Sequence, residues 1–137
     1  IDAAREREKF FTLLMKLVKI VSCKGFKMII ENPWNTSRET YLQCNFIKPT
    51  VIDTNRSLRG DYFVKPTAYW FIGCEPTKGQ SIQRNRDVKI VYKQRDKQFI
   101  KGQCSEQRSL ISPDYARNFI CDFILGKEQD NTLLTLF

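Results

Sequence analysis

The sequence contains no histidine among its 137 residues, and this excludes every mechanism in which an imidazole of this chain acts as a base. Its five cysteines are widely spaced, and no two of them form a Cys-x-x-Cys pair. Because zinc sites are usually built from close pairs of cysteine or histidine, no metal site is predicted. An odd number of scattered cysteines instead favours reduced thiols in an intracellular protein.

Long apolar runs are also missing from the sequence. The longest one, at residues 13–21, contains Lys16 and Lys19 and is far too short to cross a bilayer, so no membrane partner is expected. Positive charge, in contrast, is plentiful, since 23 Lys and Arg against 15 Asp and Glu give a net charge of +8. A basic surface suits a polyanion: nucleic acid is the first partner to consider and the one predicted, whereas an anionic membrane, the second to consider, is not predicted.

The length and the 42% hydrophobic content predict one globular domain over residues 1–137. Apolar residues at helical spacing predict a first helix from Arg5 to Ser22, which Gly25 would end. The apolar segment 26–30 predicts a strand covered on both faces. Helix, tight turn and strand in this order are typical of an α/β sheet. The expected core stripe of the helix comprises Phe10, Leu14, Leu17 and Val21, widened by Phe11, Met15 and Val18.

Further along the chain, residues 41–46 fit either a short helix or an extended segment, and residues 48–53 fit an edge strand because of Pro49. Residues 55–67 have the composition of a loop. The aromatic and β-branched run at 68–75 predicts the strongest strand. Its aromatic residues could stack on single-stranded nucleic acid, but a core strand packed on the helices explains them more simply.

A terminal helix is predicted by its capping residues. Ser112 is placed as the N-cap, Pro113 as the first helical residue, and Gly126 as the stop. The expected apolar stripe comprises Tyr115, Phe119, Ile120 and Phe123.

The stretch Met28–Ser37, "MIIENPWNTS", places polar residues directly after apolar ones. In open α/β sheets ligands bind outside the carboxyl ends of strands, where Glu31 and Asn32 could read the edge of an extruded base. Pro33 would rigidify the turn and Trp34 could wall the pocket by stacking. The alternative is an ordinary turn with Glu31 in solvent or paired with a lysine.

Three stretches in this order, "IIENPWNTSRETYL", "GDYFVKPTAYWFIGCEP" and "RSLISPDYARNFICDFI", carry a resemblance to a known family. The chain resembles the carboxyl-terminal half of phage- and bacterial-type DNA methylases of the S-adenosylmethionine-dependent methyltransferase superfamily, closest to the cytosine-5 enzymes. The resemblance covers the chain from Phe10 to Leu125. It implies an α/β fold: a partial Rossmann-like methyltransferase domain with a terminal helix and a basic, β-rich insertion.

The same resemblance implies roles for individual residues. Glu31 would hold the target base, with Asn32 and Pro33 shaping its turn. Lys65 and Thr67 would lie near the nucleic acid. The implied partner is double-stranded DNA, the implied cofactor is S-adenosylmethionine, and the implied setting is restriction–modification or a phage or mobile element in the bacterial cytoplasm, including that of a phage-infected cell.

The sequence departs from the family pattern in two motifs. The glycine-rich cofactor turn is absent, and none of the five cysteines follows a proline, so the Pro-Cys nucleophile is absent as well. Residues 32–34 match the Asn-Pro-Pro-Tyr motif of amino methylases only in part, which leaves ring-carbon and amino-group methylation both open. The chain starts on Ile1, and we expect it to be a fragment. The cofactor site is expected in the missing amino-terminal part or in a second chain.

Residues 78–108 form a basic section with nine Lys and Arg against three acids, a local charge of +6. Arg and Lys suit phosphates, and the interleaved Gln and Asn can read base edges, so a DNA-facing insertion is predicted. The alternative is a solvated hairpin. With no cofactor motif in the chain, the competing function is a non-catalytic basic nucleic-acid-binding module or an accessory subunit. The residues expected to bind nucleic acid in this section are Arg84, Arg86, Lys89, Lys93, Arg95 and Lys97.

Overall fold

The computed structural model describes residues 2–77 and 109–126. Contacts between residues divide the chain into two compact units. The first unit comprises Ile1–Ile52 and Thr67–Pro76, and the second comprises Asp53–Pro66 and Thr77–Phe137. Neither unit is a continuous stretch of chain, because Asp53–Pro66 is contributed to the second unit from within the first.

The first helix, α1, extends over Asp2–Lys24 and ends before Gly25, which confirms the predicted helix and its stop. Leu14 is buried, and Phe11, Val18 and Val21 pack against the same core cluster. The expected stripe was too wide, however. Its remaining members, Phe10, Met15 and Leu17, are exposed, and their assignment to the core is wrong. The physical reason is that a helix resting on one small sheet buries only the narrow arc that faces it.

The sheet of the first unit has three antiparallel strands in the order β1-β3-β2. They are β1 at Met28–Pro33, β2 at Val51–Asp53 and β3 at Thr67–Ile72. Because β1 and β2 both run antiparallel to the central β3, they run parallel to each other. The connection between them contains a short helix, α2, at Tyr41–Asn45. The three elements β1, α2 and β2 therefore form a βαβ crossover with β3 inserted between its two strands. The coarse prediction of a mixed helix-and-strand fold is confirmed.

Strand β3 is the core of this unit, because all six of its residues are buried. The indole Nε1 of the fully buried Trp70 donates a hydrogen bond to the carbonyl oxygen of Ile47 at 2.6 Å. The interpretation of the aromatic run as a core strand is confirmed, since its rings are not available for stacking on a nucleic acid.

Strand β1 differs from its prediction in two respects. It begins at Met28 and continues through Pro33, so it is shifted towards the carboxyl end of the expected segment. It is also half-buried, whereas its apolar sequence predicted cover on both faces. The reason is its place at the edge of the described sheet, where a terminal proline, which lacks an N–H group, is tolerated.

The second unit contains a 3-10 helix at Arg56–Arg59 and a terminal helix, α3, at Pro113–Phe119. The side chain of Ser112 caps α3 and Pro113 occupies its first turn, as predicted. From Ile120 to Leu125 the helix continues with π-type hydrogen bonds and ends at Gly126.

The apolar stripe expected for this helix is only partly correct. Tyr115 is buried, but Ile120 is 44% exposed, and the buried residues of the π segment are Cys121 and Asp122. The pattern failed because polar side chains occupy the interior beneath this helix, so an apolar stripe does not mark its buried face.

Candidate functional site

The residues expected at the end of β1 lie within it. Glu31 is exposed and stands opposite Tyr69 of β3, while the half-buried Asn32 stands opposite Ala68. Pro33 is the last residue of the strand. The turn therefore starts after Pro33, and the expectation that the strand ends at Ile30 is corrected. Glu31 and Asn32 remain at the carboxyl end of β1, but the backbone that holds them belongs to the strand ladder.

The loop that follows Pro33 is fixed by two amide side chains. Asn35 Oδ1 accepts hydrogen bonds from the backbone N–H groups of Ser37 at 3.0 Å and Arg38 at 3.3 Å. Gln43 Oε1 accepts from the backbone N–H groups of Asn35 at 3.1 Å and Thr40 at 3.0 Å, and its Nε2 donates to the Asn35 carbonyl at 2.9 Å. Thr40 and Gln43 also form the capping box that starts α2. These hydrogen bonds tie the corner to the start of α2.

Trp34, expected to stack on a base, is half-buried and packs against the core cluster that contains Leu14 and Trp70. Its main contribution in this structure is to anchor the corner on the core. Only the exposed part of the ring is available to a ligand.

The other predicted nucleic-acid contacts differ in their surroundings. Thr67 is fully buried in β3, opposite Pro33, so its side chain does not reach the surface, and any role in binding would come from positioning the strand. Lys65 is half-buried and belongs to the second unit. Outside the described residues lie Arg84, Arg86, Lys89, Lys93, Arg95 and Lys97.

A cluster of charged residues in the second unit was not predicted. Arg59 connects two carboxylates: its Nη1 lies 2.9 Å from Asp53 Oδ2 and its Nε lies 3.1 Å from Asp122 Oδ2. The carboxylate of Asp122 is fully buried, and the guanidinium stands over the ring of Phe123 at 5.0 Å. Asn118 Nδ2 donates to the Arg59 carbonyl oxygen at 2.7 Å.

The cluster continues with a second, more deeply buried ion pair. Arg56 Nη2 lies 2.6 Å from Asp61 Oδ2, and both side chains are about 1% exposed. The Arg56 guanidinium lies 4.3 Å above the ring of Tyr115. Ser112, the cap of α3, donates through Oγ to the Gly60 carbonyl at 2.6 Å. This buried charge cluster, made of Asp53, Arg56, Arg59, Asp61 and Asp122, joins the 3-10 helix to the π segment that continues α3.

The electrostatics of this cluster indicate a structural role. Burial alone would lower the pKa of Arg59, but the charge of Asp53 and the hydrogen bond and charge of Asp122 outweigh it, so the pKa of Arg59 is raised. Its carboxylate partners, Asp53 and Asp122, are buried and paired with its guanidinium. A signal in the sequence could have revealed part of the cluster, because an aspartate inside the apolar run "ICDFIL" requires a buried partner.

Neither a metal site nor a membrane span is found in residues 2–77 and 109–126. No three Cys, Asp or Glu side chains in these ranges are grouped so that they could hold a metal ion. No helix in the same ranges is long and apolar enough to span a bilayer. Comparison with protein-family models, curated proteins and solved structures finds no match for this chain.

Proposed function

We propose that this chain is the carboxyl-terminal part of an S-adenosylmethionine-dependent DNA base methyltransferase in which Glu31 contacts a flipped-out base. The observation that carries the proposal is the βαβ crossover, in which the parallel strands β1 and β2 flank the antiparallel β3. Large α/β sheets often mix parallel and antiparallel strands, so this arrangement is compatible with one side of a Rossmann-like sheet. In such sheets ligands bind at the carboxyl ends of the parallel strands, and Glu31 and Asn32 lie at that end of β1.

The described corner supports a role in holding a base. An exposed carboxylate accepts hydrogen bonds from the amino and ring N–H groups of a base, and an amide can both donate and accept. The strand ladder holds the backbone of Glu31 from one side, and the Asn35–Gln43 hydrogen bonds fix the loop on the other, so the backbone that carries the carboxylate is held in place. A carboxylate carried by a fixed backbone can favour the charge that develops on the base during transfer.

The described residues do not fit S-adenosylmethionine. In this superfamily pattern a glycine-rich turn follows a strand and opens a helix. The four described glycines with positive φ end elements instead: Gly25 ends α1, Gly60 the 3-10 helix, Gly73 follows β3 and Gly126 ends the π segment. The proposal therefore assigns the site of the methyl donor, and the nucleophile if the reaction occurs at a ring carbon, to residues outside this sequence, in the same polypeptide or in a second chain.

The test is the substitution Glu31→Gln in the intact gene product, with Glu39→Gln as the matched control, because Glu39 is also exposed but lies in the loop before α2. Loss of one preorganised electrostatic contact lowers turnover by about 100-fold to 1000-fold. We expect Glu31→Gln to lose methyl transfer to this extent while duplex affinity stays within a few-fold, and Glu39→Gln to keep both. Unchanged turnover in Glu31→Gln would remove this residue from the mechanism.

A non-catalytic nucleic-acid-binding module is the second candidate, and the charge of +6 in residues 78–108 favours it. This candidate predicts that the 137-residue chain binds duplex DNA or RNA by itself. Because binding through phosphates releases counterions, affinity would fall steeply between about 50 and 200 mM salt. A salt-independent affinity would contradict it. Co-purification with a polypeptide that carries the cofactor motif would instead favour an accessory subunit.

A further inference from the structure

One face of α1 exposes a regular row of large apolar side chains. They are Phe10, Leu13, Leu17 and Ile20, with 54%, 56%, 43% and 52% of their surfaces exposed. Their spacing of three, four and three residues is the repeat by which one helix packs along another. We call this row the outer seam, to distinguish it from the inner row of α1 that packs on the core cluster.

The outer seam is narrow. At 100° per residue its four side chains fall within an arc of about 80°. A helix that lies in a membrane surface needs a broad apolar face. A narrow seam made of two positions in each seven-residue repeat is instead typical of packing between helices. The four side chains together leave on the order of 400 Å² of apolar surface in water, which is the size of a functional patch on a soluble protein. The geometry therefore favours a helical partner over a lipid surface.

The charges beside the outer seam select among helical partners. Lys9 and Lys16 each precede a seam residue and are exposed on the side of α1 that faces away from the core. Lys9 contacts Glu6 at 3.2 Å, but both side chains are more than 70% exposed, so this surface pair is weak. Leu14 lies on the opposite flank of the seam and is buried in the core. Charged residues of a partner can therefore contact α1 only on the flank that carries Lys9 and Lys16.

These charges disfavour an antiparallel pair of two copies, and in a parallel pair the lysines would face the flank of Leu14 and Val21, which offers them no acid. An antiparallel pair of α1 helices would place the lysines of one copy against those of the other, and like charges at such flanking positions oppose pairing. We propose that the outer seam is a docking surface for an amphipathic helix whose own apolar seam is flanked by Asp or Glu. The inference rests on α1 alone and is independent of the proposed methyltransferase function.

The test uses the full 137-residue chain and two synthetic helical peptides of three heptads. Both peptides carry Leu at the two seam positions, and they differ only in having Glu or Lys on the flanks. Fluorescence anisotropy of the labelled peptides gives the affinities. We expect the acidic peptide to bind at least tenfold more tightly than the basic one.

Two variants of the chain, at residues with similar exposure, distinguish a role of the outer seam from a role of the rest of α1. Leu17→Glu changes a seam residue that is 43% exposed, and Met15→Glu changes a residue outside the seam that is 42% exposed. Leu17→Glu should weaken binding of the acidic peptide at least tenfold, while Met15→Glu should leave it within about twofold. The double variant Lys9→Glu/Lys16→Glu alters exposed side chains only and should reverse the preference, so that the basic peptide binds better.

Each contrary result overturns the proposal in a recognisable way. Equal binding of the two peptides, or equal effects of Leu17→Glu and Met15→Glu, would show that the outer seam does not select an acidic helix. A dimer in sedimentation equilibrium that Leu17→Glu dissociates would assign the seam to a second copy. Binding to phosphatidylserine vesicles that Leu17→Glu abolishes, without binding of the acidic peptide, would assign it to a membrane surface.

Discussion

Replacing Arg59 by leucine tests whether the buried charge cluster stabilises the second unit. The change removes the cation from two carboxylates, Asp53 at 4% exposure and Asp122 at 0%. Removing one partner of a buried ion pair costs about 3–5 kcal/mol, because the remaining charge stays buried without compensation. Arg59 itself is 21% exposed, so water screens part of the interaction. We therefore expect Arg59→Leu to lower the free energy of unfolding by about 2–4 kcal/mol, using the same buried-pair scale less the screening of a partly exposed group.

The measurement is pulsed alkylation of the native-sequence chain in increasing urea, read by peptide mass spectrometry at Cys121. This thiol is buried in the second unit, so its labelling reports the unfolding of that unit. With a urea dependence of about 1–3 kcal/mol per M, the expected loss moves the midpoint down by roughly 0.7–4 M. The matched control is Arg117→Leu, because Arg117 pairs with Asp114 at 3.3 Å on the surface, where both side chains are at least 30% exposed. Its free energy of unfolding should change by less than about 0.5 kcal/mol.

The pH dependence gives a second check on the same substitution. Because the pKa of Arg59 is raised in the folded protein, its contribution is fully present below the ordinary pKa of arginine and is lost only as pH rises through the raised value. The titration of Arg59 itself therefore adds no pH dependence to the deficit of Arg59→Leu from about pH 6 to 9, and any change of the deficit in this window reports the two carboxylates left without their guanidinium. If Arg59→Leu and Arg117→Leu shift the Cys121 labelling midpoint equally, the cluster does not hold the unit together and the reasoning fails.

Two further substitutions test backbone geometry and capping. Gly73 and Gly25 have nearly the same positive φ, 69° and 68°, but a Cβ at Gly73 would overlap the carbonyl oxygen of Phe26, whereas one at Gly25 meets nothing. Gly25→Ala should lower the free energy of unfolding, measured by heat or urea, by about 1 kcal/mol, and Gly73→Ala should lower it by at least about 1 kcal/mol more. Equal losses, or a smaller loss for Gly73→Ala, would contradict the predicted overlap. Ser112→Ala removes the cap of α3 and its hydrogen bond to the Gly60 carbonyl, and should lower the free energy of unfolding by about 1–2 kcal/mol. Ser112→Thr is the conservative control, and an unchanged stability of Ser112→Ala would contradict a stabilising role of the cap.

The parts of the fold that local chemistry determines could be predicted. Gly25 ends α1 and Ser112 starts α3, because capping depends on residues within one turn of the helix end. The core strand β3 could be predicted as well, since a run of aromatic and β-branched residues has few other favourable environments. These features need no knowledge of what lies across the molecule.

The parts that depend on distant partners could not be predicted. Arg56 and Arg59 stand in a loop-like sequence, and nothing near them indicates that Asp122, 63 residues after Arg59, would meet that guanidinium. Phe10 and Leu17 fit the periodicity of a core face, but periodicity does not say how wide an arc the sheet will cover. At the candidate site, the residue types suggested Glu31 and Asn32. The hydrogen bonds that fix the adjoining loop could not be predicted, because they join residues eight positions apart.

The discontinuous second unit also sets an order of events during synthesis on the ribosome. Chain growth proceeds at about 5–20 residues per second, so Asp122 emerges roughly 3–13 s after Arg59. The first unit, whose last segment ends at Pro76, is complete well before then. Throughout that interval Arg59 has Asp53, six residues earlier, as a nearby anion, and Arg56 has Asp61. Each nascent arginine can thus be neutralised locally, in contact with water, until the arrival of α3 removes the solvent and closes the unit.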